Sequence, residues 1–230
     1  MKNKTLIYAI SFLTLILCIS IFQYGKESKM NYTLNITHLT KYESLDPIHA
    51  DNSVNLLVAR MLYLTPIEIT SNNHLTSQIL DRFVYDTNKK EITLTVKSGS
   101  TFSDGSPIEV EDVAMAILRF AAYHPTFPVI KKIQGIAEWA LTQNPLETFP
   151  SGFKVTGSTI RIQLDQPDQN PLFRFCLEVF SIVPAKCIDR KTMKMSCKTP
   201  PTSGNYTITS EDESHSQFQL RTMPRSHEEH

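Results

Sequence analysis

Between Ile92 and Phe120 the hydrophobic period of the chain changes within one short stretch, which dictates a strand, a turn and a helix in that order. Ile92, Leu94 and Val96 alternate with Thr93, Thr95 and Lys97, the period-two pattern of a half-buried strand. Ser98-Gly99 breaks the alternation. Asp104-Gly105 predicts a turn, because glycine accepts a positive φ and aspartate bonds its own backbone. Val113, Ala116, Ile117 and Phe120 then recur at helical spacing, so a helix beginning near 107–110 packs one apolar face. Two starts compete for it. In one, Ser106 is the cap, with Pro107 at N1 and Glu109 at N3, forming a capping box; in the other, Asp112 takes N3 of a helix that begins three residues later. Either start sets acidic side chains at the positive end of the helix dipole. Asp104 and Asp112 therefore read as turn and cap residues, not as catalytic ones.

Elements on both sides follow from the same rules. Tyr32, Leu34 and Ile36 alternate with polar residues and predict a first strand, stopped at Ser44-Leu-Asp-Pro47, where Pro47 forces Asp46 into an extended conformation. Val54, Leu57, Val58, Met61 and Leu62 predict a helix that ends before Pro66, and Asn72-Asn73 marks a turn. Residues 83–85 and 91–97 read as paired strands joined by 86–90, and 133–143 as a short helix carrying Trp139. A hairpin about Gly157-Ser158 joins 153–155 to 159–164. Leu172, Phe173, Cys176, Val179 and Phe180 predict an apolar helical face ending at Val183-Pro184, and 206–208 with 217–220 a last strand pair. The result is mixed α/β.

The N-terminus has a different character. Lys2 and Lys4 precede a nearly continuous apolar run from Leu6 to Phe22, with charge returning at Lys26, which is the layout of an export signal. The run is at the lower limit for spanning a bilayer. It serves either as a signal peptide, cleaved after the small-x-small site Cys18-Ile-Ser20, or as a retained anchor; lipidation at Cys18 ranks lower, since Leu17 is not small. Either way the expected location is extracytoplasmic, in the periplasm or at the cell surface. In that oxidising compartment Cys187 and Cys197, which flank a short polar loop, are the expected disulfide, and Cys176 reads as a buried thiol among Phe173, Phe175, Leu177 and Val179. The 23 basic and 23 acidic residues give zero formal net charge, and no basic stripe points to nucleic acid.

Lys97-Ser-Gly99, Phe102-Ser-Asp-Gly-Ser-Pro107 and the acidic helix start resemble the family 5 bacterial extracellular solute-binding proteins, the peptide-binding subunits of ABC importers. Ser44-Leu-Asp-Pro47, Gly157-Ser-Thr-Ile-Arg-Ile-Gln-Leu164, Val183-Pro-Ala-Lys186 and Ser203-Gly-Asn-Tyr206 extend the resemblance in the expected order. It covers about Asn31 to Leu220, and only the N-terminal part of the family's length. It implies a type II periplasmic-binding-protein-like first lobe, mixed α/β, with an inserted β-rich subdomain and the second lobe missing. The expected division is a signal or anchor over 1–28, a discontinuous and incomplete lobe I over 29–53 and 165–230, and the inserted subdomain over 54–164. Two departures stand out: Leu62-Tyr-Leu-Thr65 lacks the family's usual glycine, and Glu109 replaces the more usual hydroxyl cap.

No serine lies in a Gly-x-Ser-x-Gly elbow, and there is neither a phosphate loop nor a dinucleotide fingerprint, so no catalytic residue, enzyme activity or cofactor is expected. His227-Glu-Glu-His230 has its histidines three apart, not four, and reads as an exposed tail with no metal. The ligand-binding candidates are Asp51, Asn52 and Ser53. Aligned without a gap from Leu-Asp-Pro to Arg60, they fall where the resemblance implies backbone presented to an extended peptide by β-augmentation. The same three residues read equally well as a polar loop in which Asn52 or Ser53 caps the next helix. The groups that grip the ligand's termini would lie on the missing lobe. The implied partners are a peptide or other small solute and an ABC permease in the membrane, with no nucleic acid. The alternative is a membrane-tethered interaction or remnant protein that no longer captures solute.

Overall fold

The computed structural model describes residues 33–37, 44–142, 148–211 and 215–220. The apolar run Leu6–Phe22 and the tail His227–His230 lie outside them, and among the described residues no helix is long and apolar enough to cross a membrane. Strands are β1 (Thr33–Thr37), β2 (Glu68–Ile69), β3 (Leu75–Thr76), β4 (Leu80–Asp86), β5 (Glu91–Val96), β6 (Phe153–Thr156), β7 (Thr159–Gln163), β8 (Tyr206–Glu211) and β9 (His215–Leu220). The α-helices are α1 (Ser53–Leu62), α2 (Val110–Tyr123), α3 (Ile136–Ala140) and α4 (Pro171–Arg174).

The central sheet is antiparallel, in the order β4-β5-β7-β6. Alternation in β5 puts Ile92, Leu94 and Val96 on its buried face, where Ile92 sits opposite Ile162 and Leu94 opposite Ile160 of β7. The other face is polar: Thr95 and Thr159 bond through their hydroxyls at 3.2 Å, and Arg161 pairs with Glu91 at 2.9 Å. A second sheet, β1-β9-β8, joins the first strand to the end of the described chain, with Thr33 opposite Gln219 and Thr207 opposite the same residue.

Helix α2 packs against β5 and β7 and starts at the later of the two candidate positions. Glu109 is its N-cap, and the Asp112 carboxylate at N3 accepts from the Glu109 N–H at 2.8 Å. The spacing predicted one packed face, but every residue from Asp112 to Ala121 is buried. The chain after β7 accounts for the far side. Phe180 lies 4.5 Å from Phe120, ring centre to ring centre, and 5.3 Å from Phe175.

That returning chain also differs from expectation. In place of one helical face over 172–180 there is the four-residue α4, a turn, and a 3₁₀ turn over Glu178–Phe180, with Phe173 exposed. The helix breaks where Leu177 turns extended, at φ −79° and ψ 141°, and the Phe175 carbonyl accepts instead from the Ile67 N–H at 3.4 Å. Helix α3 is shorter than predicted and follows Gly135, whose φ is +70°. Cys176 is half-buried, and burial pushes its thiol up to about 11. Of the expected boundaries, 53/54 falls at the first residue of α1 and 164/165 just after β7; one hydrophobic core, including Ile48, Ile92, Ile162 and Phe180, crosses both.

The chain leaving α1 is clamped on two sides. The Leu64 carbonyl accepts from the Ile182 N–H at 2.9 Å, and the Leu62 carbonyl accepts from the Gly204 N–H at 2.7 Å. Ser203, fully buried, accepts from the Leu64 N–H at 3.0 Å and donates to the Ile182 carbonyl at 2.7 Å. A Cβ on Gly204 would meet the Leu62 carbonyl carbon at 2.7 Å and the Tyr63 nitrogen at 2.8 Å. Both are backbone atoms and cannot rotate away. Gly204→Ala is therefore expected to cost about 2 kcal/mol or more by forced backbone displacement, against about 1 kcal/mol for Gly105→Ala, which has only its positive φ to resolve. Urea unfolding midpoints of the two variants check the ranking.

Candidate functional site

The ligand-side candidates stand at the start of α1. Asp51, Asn52 and Ser53 are all exposed, and Asn52, with extended φ −124° and ψ 165°, is the helix N-cap. Its side-chain oxygen accepts from the N–H groups of Val54 (3.1 Å) and Asn55 (2.9 Å). The Asn52 side-chain oxygen is therefore committed to the cap. Asn55, buried one turn in, donates through Nδ2 to the His49 carbonyl at 2.9 Å and so ties the helix to the preceding 3₁₀ turn, Pro47–His49.

That turn is built on Asp46. Ser44 Oγ accepts from the Asp46 N–H at 3.0 Å, and Asp46 Oδ1 accepts from the Ile48 N–H at 3.2 Å. Both carboxylate oxygens face the Arg119 guanidinium on α2: Nη1 donates to Oδ1 at 2.8 Å, and Nη2 donates to Oδ2. The pair is almost out of contact with solvent, at 4% exposure for Arg119 and 6% for Asp46. Arg119 Nε donates to the Met193 carbonyl in the 187–197 loop. Beside the pair, the buried Tyr63 hydroxyl has no hydrogen-bond partner among the described residues. Burial first, and then the Asp46 charge, push its pKa up beyond the ordinary tyrosine range, so the phenol stays protonated.

Asp104 and Asp112 both hold structure. Asp104 Oδ1 accepts from the Ser106 hydroxyl (2.5 Å) and N–H (3.0 Å), and Oδ2 from Lys186 Nζ at 3.0 Å. The Ser106 hydroxyl is the main cause that lowers the Asp104 carboxyl from its ordinary 3.8 to about 2, with Lys186 adding to it. Asp112 Oδ1 accepts from the Ala185 N–H at 2.7 Å, yet burial outweighs its two N–H donors and raises its pKa. Val183-Pro-Ala-Lys186 is thus held to the turn and the helix start by one aspartate each. Ser103 and Thr202 exchange two further bonds at 2.9 Å, from the Ser103 N–H to the Thr202 carbonyl and from the Thr202 N–H to Ser103 Oγ.

A cavity of about 300 Å³ is lined by Leu45, Tyr63, Ser103, Asp104, Pro200 and Ile208, among others. It borders the C-terminal end of α1 and does not include Asp51–Ser53. Cys187 and Cys197 are joined in a disulfide with their Cα atoms 5.1 Å apart. Among the described residues no group of three or more His, Cys, Asp or Glu side chains could hold a metal ion. Sequence reasoning missed Arg119 as the partner of Asp46. The available signal was a lone charge inside the otherwise apolar run Val113–Ala122, since a charge on the buried side of a helix requires a counter-ion.

The fold is that of a type II periplasmic binding protein. It matches the pheromone receptor PrgZ, solved for its mode of peptide binding, with a TM-score of 0.64 at 20% identity, over 78% of this chain and 36% of that one. The substrate-binding domain of an oligopeptide ABC transporter from Bacillus anthracis gives 0.62 at 13% identity, over 77% and 35%. NikA from Brucella suis, in complex with Fe(III)-EDTA, gives 0.61 at 13%, over 77% and 33%. At these identities the likeness establishes the fold, and the chain spans about a third of the length of each. A family model for the middle region of bacterial extracellular solute-binding proteins, family 5, matches residues 74–222. The chain belongs to that family.

The two aspartates titrate in opposite senses. Asp112, raised, retains its proton in the folded state at pH values where the unfolded chain has lost it, so its influence on stability becomes more favourable as pH falls. Asp104, lowered, adds stability that is complete above pH about 4 and lost as pH falls toward 2. Ser106→Ala is expected to move the Asp104 titration midpoint up from about 2 toward 3.8. Carboxyl-carbon NMR measures that midpoint, and an unchanged value would transfer the effect to Lys186.

Proposed function

We propose that the chain is the lobe I portion, with its inserted subdomain over 54–164, of an exported solute-binding component that delivers oligopeptides to an ABC permease. Family membership carries this reading. The cargo of the fold varies: PrgZ was solved for peptide binding, whereas NikA holds Fe(III)-EDTA. Peptide is favoured here by what Asp51–Ser53 offers. All three are exposed, and Asn52, extended and with its side-chain oxygen on the cap, offers a ligand main chain just ahead of the helix that Ser53 begins. Main-chain groups bind any peptide backbone, whatever its side chains, as in β-augmentation. Capture then requires a facing surface that closes over the ligand, by hinge motion, before delivery.

An open single face provides only a few hydrogen bonds, each worth about 1 kcal/mol net, against the cost of immobilising a flexible peptide. The 230-residue chain is therefore expected to bind mixed tri- and tetrapeptides at roughly millimolar Kd, with amide shifts in a ¹⁵N spectrum concentrated on residues 50–53. Shifts clustered at the 300 Å³ cavity would relocate the site. Micromolar binding would show that the site lies elsewhere or that a second copy of the chain supplies the closing face.

A further inference from the structure

The 187–197 disulfide lies at one end of a chain of contacts, buried through its middle, whose other end is the start of α1. The loop it closes is ordered internally. Asp189 Oδ1 accepts from the N–H groups of Lys191 (3.0 Å) and Thr192 (2.7 Å), and the Asp189 carbonyl accepts from the Met193 N–H at 2.7 Å. These bonds hold Met193 at φ +58°, a conformation that side-chain-bearing residues rarely adopt, with the residue buried. Its carbonyl is thereby aimed at Arg119 Nε. Arg119 grips Asp46, Asp46 holds the Ile48 N–H, and the His49 carbonyl accepts from Asn55 of α1. Met193, Arg119, Asp46 and Asn55 are all buried, so the contacts from Met193 to Asp46 are made without competition from water, while the last, to the carbonyl of the exposed His49, is half-buried.

We propose that this disulfide is a redox latch on residues 46–53: oxidised, it holds the Met193 carbonyl on Arg119 and so fixes the segment that presents Asp51–Ser53; reduced, it lets that segment open. The consequence for ligand capture rests on the reading of Asp51–Ser53 as the ligand-facing segment. The reductant is a dithiol. Cys187 is fully buried and Cys197 half-buried, so the thiolate attacks the Cys197 sulfur. The S–S bond breaks, and Cys187 leaves as a thiolate and takes up a proton. The second sulfur of the dithiol then attacks the mixed disulfide and releases Cys197, which is protonated in turn. The protein gains two electrons and two protons, and the dithiol becomes a cyclic disulfide.

Amide hydrogen exchange of the 230-residue chain, with and without dithiothreitol and in the Cys187→Ser/Cys197→Ser double variant, tests the latch. In the oxidised chain the N–H groups of Ile48, His49 and Ala50 are bonded to Asp46 Oδ1, the Asp46 carbonyl and the Pro47 carbonyl. Reduction, or the double substitution, is expected to speed exchange at these three at least about tenfold, as for local opening, while β5 and β7 amides stay unchanged. Unaltered exchange at Ile48–Ala50 would overturn the proposal. So would equal acceleration in β5 and β7, which would make the bridge a staple of the whole fold. Exchange is read without peptide. A chain that binds no peptide at Asp51–Ser53 defeats the functional reading and leaves the latch standing, whereas flat exchange defeats the latch alone.

Discussion

Everything near the start of α1 depends on one buried ion pair. Asp46 and Arg119 are 73 residues apart in sequence and meet through both carboxylate oxygens in a site almost free of solvent. Removing two charges from water is expensive, and a pair like this is tolerated only when its geometry is good and its remaining donors and acceptors are satisfied. Both conditions hold. Asp46 also accepts from the Ile48 N–H, and the free Arg119 donor Nε reaches the Met193 carbonyl. The pair fixes the register between three stretches that no regular ladder joins: the loop before α1, the middle of α2, and the disulfide-closed loop.

The polar residues of the short motifs are tied to distant parts of the fold. The Asp46 carboxylate goes to α2, Asp104 goes to Lys186, Asp112 to the amide of Ala185, and Ser203-Gly204 to Leu62 and Leu64 at the end of α1. Their polar residues are thus accounted for by folding. On the proposed reading, recognition is left to exposed main chain, whose chemistry does not depend on side-chain identity. Leu62-Tyr-Leu-Thr65 itself carries no glycine. The close approach is made from the other side, at Gly204.

Much of the fold was legible because its elements are periodic. The strand at 91–96, the hairpin at 153–163 and the helix at 53–62 all follow from side-chain alternation or spacing. The start of α2 was readable only as two alternatives. Asp112 decides between them because its second oxygen is claimed by Ala185, 73 residues away, which no local pattern reveals. The 172–180 stretch misled for a similar reason: its apolar spacing is helical, but Leu177 is extended and the Phe175 carbonyl meets Ile67, far earlier in the chain. At the candidate site, the capping role of Asn52 is a local property. Arg119 is not; its role depends on a tertiary partner, and the sequence marks it only as a misplaced charge.

The central claim is that Asp46 and Arg119 act as a unit, and a double-mutant cycle on urea unfolding tests it most directly. Arg119→Met leaves a buried carboxylate without its counter-ion and is predicted to cost about 3–5 kcal/mol. Asp46→Leu in the same background is predicted to restore a large part of that loss, giving a coupling energy of about 2–3 kcal/mol. Additive losses from the two substitutions would contradict the account and reduce the pair to two neighbours that share a cavity.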